Sequence, residues 1–508
     1  MERVATKQTA GLILVFLLLC SLHLWGYAHL PNIRTESDSS FANIILHNWH
    51  EYGYWHLHGQ LVANPGGLNA GENPVVYPGH RPYLLLPPYW FKELPGAAGG
   101  NGLLYDFVML LATFTGLICL LGTGLRGVLL ASITCFCPGF IHNIVSIDLT
   151  SFPELFGLAV LPFVAGRLTD SAGKPAGRVL ALVVMVLYML MNWSTVFPLF
   201  VMAIYLCAKR PDQWKKLAVY LGVAAAAGLA ILAVSLVSRH QAGTTIGGFW
   251  NAYLWGPGGY DGNGMTFGKA LVRISAVSVI AWLPLVAGAV ALCLRNGLDE
   301  RWRLSALPLA AGLAMAFMVR NHSAHHPWLA ICVIGLGLVF SLELLIAPQA
   351  ASKPAFSSIG VAIAATFALA YCAGWSALDE FNTRNFNSLF NLLAQNTPRH
   401  CFIVVTDNLT LDGRMKPEGF SSMVDRKVLS VDDWESQKDE IAHSGMKVFF
   451  LTHGTLPPGA NLNAQSQCAP KWTDRLITPL FDFYRGKISR RASGDRKVFF
   501  TEYRLYEL

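Results

Sequence analysis

Apolar runs of about 20 residues, the length that crosses a bilayer as a helix, recur along this chain. They fall at Gly11–Ala28, Leu103–Gly122, Gly127–Val145, Phe152–Gly166, Leu217–Val237, Leu271–Leu294, Leu304–Val319, Trp328–Ala347 and Phe356–Trp375. The run from Val179 to Cys207 differs. Arg167, Lys174 and Arg178 precede it and Lys209, Arg210, Lys215 and Lys216 follow it. Positive charge on both flanks places both on the cytoplasmic side, so the segment is expected to enter and return as a helical hairpin turning at Asn192-Trp193-Ser194. One long tilted helix is the alternative. The pattern predicts an α-helical polytopic membrane protein of about 11 transmembrane helices, two of them half-length. The first apolar run is read as a retained helix, with Arg3 and Lys7 in the cytoplasm.

Two polar regions interrupt this scaffold. The first is the loop 29–102, whose core runs from Leu30 to Gly96. From Asp38, SDSSFANIILHNWHEYGYW reads as an amphipathic helix. Phe41, Ile44, Ile45, Trp49 and Tyr52 recur on one side, and Asn43, His47, Asn48 and Glu51 lie elsewhere. It is too short and polar to span, so it is expected in the membrane interface with its aromatics at headgroup depth. The second begins near Asp379. There CFIVVTD, DDWESQKDEIAHSG and KVFFLTH read as strand, helix and strand, with Gly445 as a helix stop and KVFFTEYRLYEL as a further strand. The division expected is 1–377, a transmembrane domain including the first loop, and 378–508, a small α/β domain outside the cytoplasm.

Composition agrees. The chain is 53% hydrophobic and 14% charged, against about 25% charged in soluble domains, and its mean hydropathy is +0.41. The net charge of +7 does not indicate nucleic acid, because the basic residues cluster beside apolar spans and in the tail. Most cysteines read as small hydrophobes inside spans; Cys401 and Cys468, in the polar tail, are candidates for pairing if that tail is outside the cell.

The candidate chemistry lies on the outer side. Asp38 has two readings: a helix cap shared with Ser39 or Ser40, or a general base at the membrane surface. In YPGHRPYLLLPPYWF, four prolines interrupt regular helix around Tyr77, His80 and Arg81. A guanidinium there either snorkels to a headgroup or binds a phosphate of a lipid-linked substrate. Asp148 sits at the outer end of a span, where an acid is costly and marks function or caps the next helix. Arg320, His322, His325 and His326 share an outer loop; the histidines suit a divalent metal, a polar hairpin or substrate contacts. Asn192, at the hairpin turn, is expected to face the same side.

This order of parts resembles the GT-C superfamily of integral-membrane glycosyltransferases, and most closely the branch of protein mannosyltransferases and lipid A aminoarabinose transferases. The elements that carry the resemblance are a span, Asp38, the helix ending HEYGYW, the run YPGHRPYLLLPPYWF, Asp148 after the third span, and the hairpin RVLALVVMVLYMLMNWSTVFPLFVMAIYLCAKR. It covers roughly Leu12 to Ala347. The resemblance implies a polyprenyl-phosphate sugar donor, a lipid, glycan or protein acceptor, and inversion at the anomeric carbon. It further implies Asp38 as the carboxylate beside the acceptor and Arg81 as the residue binding the lipid phosphate. Asp38 is followed by two serines and Glu36 stands two residues before it, so either acid is a candidate base. A bacterial plasma membrane, with the tail extracytoplasmic, is the expected location. Two other readings stand beside it, a lipid-linked sugar flippase and a degenerate membrane subunit that anchors the tail.

Overall fold

The computed structural model describes residues 37–57, 60–68, 73–76, 103–145, 152–170, 175–191, 193–215, 266–296, 300–318, 328–346, 392–406, 424–452, 461–467 and 502–507, with isolated positions elsewhere. Two compact units emerge. One comprises Met1–Trp25 and Leu94–Ala373; the other joins Gly26–Glu93 to Gly374–Leu508. The second grouping puts residues 26–93 with the tail, whereas the hydropathy pattern had put them with the spans.

The first unit is helical. After α1, which belongs to the other unit (Ser37–Tyr52), come α2 (Leu103–Leu121), α3 (Leu125–Cys135), α4 (Pro138–Val145), α5 (Phe152–Thr169), α6 (Pro175–Met191), α7 (Val196–Lys209), α8 (Phe267–Ala281), α9 (Leu283–Asn296), α10 (Glu300–Met318) and α11 (Trp328–Ile346). The described positions of the first span are also helical, and Phe16 there stacks on Phe114 of α2 at 3.9 Å between ring centroids. Small residues let the backbones touch. A Cβ on Gly116 would lie 2.1 Å from the Ala159 carbonyl oxygen, and one on Gly166 would lie 2.5 Å from that of Cys119. Thus α2 and α5 pack with nothing between their main chains, the packing used where lipid removes the hydrophobic drive for association. Gly312 and Gly337 do the same between α10 and α11.

The charge-derived hairpin is present. The chain breaks into α6 and α7 around a 3₁₀ turn at Trp193–Thr195. Gly157 of α5 accommodates both Tyr188, near the end of α6, and Pro198, near the start of α7. At the other end of α5, Arg178 Nη2 donates to the Asp170 carbonyl at 3.3 Å and Arg210 Nη2 to that of Thr169 at 3.1 Å. Both basic flanks therefore lie at one end of the unit, which a single long helix could not achieve. At that end α7 is tied to α11. Lys209 Nζ donates to Glu343 Oε1, and Tyr205 donates its hydroxyl proton to Glu343 Oε2 at 2.9 Å.

Two expected spans are corrected. Gly127–Val145 is divided at Phe136–Cys137 into α3 and α4, where Pro138 can begin a helix but cannot continue one. Leu271–Leu294 is divided at Trp282 with a bend of 90° between its halves. The indole is fully buried there, donates to the Ile331 carbonyl at 2.8 Å and lies against Gly335 and Gly139. Among the described residues no single helix is long and apolar enough to cross a membrane; the two halves of this bent pair reach that length and composition only when taken together. Large apolar side chains nevertheless project outward. They include Val179, Leu180, Val183 and Leu187 along one stripe of α6, and Phe267, Leu271 and Val272 on α8. Such stripes suit lipid rather than water.

The second unit contains a five-stranded mixed sheet: β1 (Cys401–Val405), β2 (Lys427–Ser430), β3 (Lys447–Thr452), β4 (Asn461–Gln467) and β5 (Glu502–Glu507), in the order β2-β1-β3-β5-β4. The first three are parallel, and β5 pairs antiparallel with both β3 and β4. Alternation sorts the side chains by face. Cys401, Ile403, Phe449, Leu451, Tyr503 and Leu505 pack with Leu389, Leu392 and Leu393 on one side. On the other, Val404, Phe450 and Tyr506 meet Val431 and Trp434 of α12 (Val431–His443). That helix begins with a capping box: Ser430 Oγ accepts from the Asp433 amide at 3.0 Å, and Asp433 Oδ2 accepts from the Ser430 amide at 3.3 Å. It is followed by Gly445 at φ +68°. Cys401, a candidate for pairing, is a free thiol buried in the sheet core. Burial pushes its pKa up to about 11, against smaller opposing effects of Arg426 and a hydrogen bond with Thr397.

Candidate functional site: the first-loop helix and its clamp

Helix α1 carries the one sequence-predicted site residue that falls inside a described element. Asp38 is its second residue, within the first turn rather than at the cap, because the helix already starts at Ser37. Glu36, Tyr77, His80, Arg81, Asp148, Asn192, Arg320, His322, His325 and His326 all lie outside the described residues. Among the described residues no group of three or more His, Cys, Asp or Glu side chains is placed to hold a metal.

The apolar side of α1, where aromatics were expected to meet a membrane interface, is packed against protein. Ala42, Ile44, Ile45, Leu46 and Trp49 are buried. The Trp49 indole donates to the Gln60 carbonyl at 2.8 Å, and its ring meets those of Tyr54 and Tyr89 edge-on. Asn48, also fully buried, donates to the carbonyls of Val62 and Asn64 at 2.8 and 3.3 Å. These contacts fold the chain after α1 back along the helix. An isolated bridge between Val62 and Val76 closes that return.

The polar side of α1 is held by the tail. Arg399, two residues before β1, donates through Nε to Asp425 Oδ2 at 2.8 Å, through Nη2 to Asn48 Oδ1 at 2.7 Å, and through Nη1 to Glu51 Oε2. Asp425 also accepts from the Gly66 amide at 2.9 Å, and its Oδ2 lies 2.7 Å from His47 Nδ1. Glu51 reaches His400 Nε2 at 2.5 Å. Asp425 is buried and sits at φ +50°, a left-handed conformation that Asp tolerates better than most residues. Arg426 fixes this turn by donating to Thr397 Oγ1 and to the Thr397 carbonyl, both at 3.1 Å. Burial alone would raise the Asp425 pKa. The hydrogen bond with His47 and the Arg399 guanidinium outweigh it and hold the carboxyl below its ordinary value of 3.8. Gly66 and Gly67, at φ +71° and +83°, let the loop pass close to the tail: a Cβ on Gly67 would lie 2.5 Å from the His400 ring.

A search of solved structures places this architecture. The crystal structure of ArnT from Cupriavidus metallidurans bound to undecaprenyl phosphate aligns with a TM-score of 0.52, covering 89% of this chain and 96% of that one at 11% identity. The chain is similar in fold to ArnT. The ArnT crystal structure in the apo state covers 90% of this chain and 96% of that one, with a TM-score of 0.39 and 12% identity. No protein-family model matches the sequence, and no curated protein matches it. The resemblance drawn from the order of parts is thus met by a likeness of fold to ArnT, a GT-C aminoarabinose transferase, extending over both units.

Arg399 and Asp425 did not stand out in the sequence. Their partners on α1 lie 351 and 378 residues away, and no local pattern joins them. The available signal was indirect. Asn48 and Glu51 are one turn apart on α1, and Arg399-His400 and Asp425-Arg426 each stand just before a strand.

Proposed function

We propose that this chain is an integral-membrane glycosyltransferase that moves a sugar from a polyprenyl-phosphate donor to an acceptor at the outer face of a bacterial plasma membrane. The observation that carries the reading is the likeness to ArnT over 89% of the chain. That ArnT structure holds undecaprenyl phosphate, and a polyprenyl phosphate is the donor lipid that the sequence resemblance implies for this chain. In the reaction proposed, the acceptor hydroxyl or amine attacks the anomeric carbon while the bond from that carbon to the phosphate oxygen breaks. The acceptor proton passes to a carboxylate at the start of α1, Asp38 or Glu36. Arg81 neutralises the departing polyprenyl phosphate, and the anomeric configuration inverts. Tyr77, His80, Asp148, Asn192, Arg320, His322, His325 and His326 are proposed to line the substrates from the outer side. A divalent metal at the three histidines is a question for chelation and metal add-back. The N-terminus is cytoplasmic and the tail extracytoplasmic in this proposal.

The test is transfer from a polyprenyl-phosphate sugar by purified Asp38→Asn, Glu36→Gln and Arg81→Ala variants. Turnover is expected to fall about 100-fold or more for Arg81→Ala and for whichever acid is the base. Wild-type turnover in all three would remove the proposed site.

A further inference from the structure

The tail could be a passenger, a partner-binding module or a working part of the site on α1, and the contacts to Arg399 distinguish these. Asn48 and Glu51 stand three residues apart, so they occupy one face of α1 on successive turns. One guanidinium takes both. His47, about 100° further round the helix, is taken by Asp425, which Arg399 also holds. Two adjacent faces are therefore gripped by one rigid group, and that fixes rotation about the helix axis as well as position. The grip comes from polar groups at the rim of the sheet. The sheet's own cohesion comes from a separate apolar cluster, Leu389 to Leu505.

We infer that the tail is the positioning element for α1, acting through Arg399 and Asp425 to hold the first-turn carboxylate in register; this rests on the transferase reading of Asp38. Asp38 lies 13 residues before Glu51, about 20 Å along a stiff helix, so the clamp acts on that carboxylate through the helix rather than by contact. Its lever is angular. A rotation of α1 by about 20° moves a group about 5.5 Å from the axis by about 2 Å. A 1 Å misplacement in a transfer site costs about 100-fold in rate. Arg399 and Asp425 are thus positioning residues.

The experiment compares full-length wild type, Arg399→Met, Asp425→Asn and, as a control on exposed α12, Lys438→Ala. Asparagine tolerates the left-handed backbone at 425, so that variant removes the charge without straining the turn. Amide exchange across Ser37–Tyr52 is measured beside kcat and KM for a polyprenyl-phosphate sugar. In Arg399→Met, exchange of α1 is expected to rise at least about tenfold while the strands keep wild-type protection. In the same variant kcat is expected to fall about 10- to 100-fold, with the donor KM within about threefold. Asp425→Asn is expected to show a smaller change of the same kind, and Lys438→Ala none. Unchanged exchange of α1 in both clamp variants overturns the inference whatever the activity. So does a loosened helix with wild-type kcat, or a loss of protection spread equally over the sheet. A wild type that transfers nothing, with α1 still loosened on loss of Arg399, overturns the transferase reading and leaves the mechanical clamp standing.

Discussion

Each of the two units owes its internal cohesion to different physics. In the helical unit, main chains touch where Gly116, Gly166, Gly312 and Gly337 remove the side chain, large apolar groups face outward, and the charges of Lys209 and Glu343 are tied to each other at one end. In the other unit the apolar residues are turned inward on two faces of a sheet, and charge is concentrated where α1 meets the tail. The difference follows from the solvent each can have. Beside lipid, burial of apolar surface distinguishes little, so close fit and paired polar groups specify the fold. Beside water, apolar burial forms the core, and ion pairs are free to set the orientation of one element against another.

Substitutions can break each side of that contrast. The largest effect is expected from Gly116→Val. Its branched side chain must displace the Ala159 carbonyl, 2.1 Å from where the first carbon would sit, and the expected loss is about 3 kcal/mol or more. Gly288→Ala, on α9 with nothing within 4 Å, is expected to be neutral or slightly stabilising. Thermal unfolding in detergent reads both. Next comes Glu343→Ala, which leaves the Lys209 ammonium without its partner; a loss of about 2–3 kcal/mol is expected. The double change Lys209→Met with Glu343→Leu is expected to recover most of it. In the sheet unit the expected effects are smaller. Ser430→Ala removes the cap of α12 and is expected to cost about 1 kcal/mol.

Acid is expected to act within the sheet unit through Asp425. Asp425 has its folded pKa below the ordinary 3.8, so the stability it contributes is fully present above that value. It drains away as pH falls below 3.8 toward the folded pKa. Amide exchange of α1 is therefore expected to be flat in Asp425-dependent protection from pH 7 to about 5. It should quicken below pH 4 in the wild type, and to a lesser degree in Asp425→Asn. Equal acid sensitivity in the two would show that this carboxylate is not the group responsible.

Much of the architecture was legible where it is written locally. Basic residues on both sides of Val179–Cys207 foretold a hairpin that hydropathy alone would have merged into one helix. The pattern DDWESQKDEIAHSG, with Gly445 as its stop, foretold α12 and its end. The breaks inside two apolar runs were not read. Trp282 bends its span with an indole that hydropathy counts as one more apolar residue, and Pro138 was the available signal for the other. Strand β4, NLNAQSQ, has too little apolar alternation to announce itself, and β2 is only four residues long. The clamp on α1 was illegible for a stricter reason. Arg399 and Asp425 acquire meaning only through partners more than 300 residues away, although the polar residues that receive them had been picked out on the helix.

The most direct measurement of the central claim is release of polyprenyl phosphate by the purified wild-type chain, given a polyprenyl-phosphate sugar and an envelope extract as acceptor. The account predicts release matched one to one by sugar appearing on the acceptor with inverted anomeric configuration. Intact donor carried from one leaflet to the other with no phosphate released would contradict it.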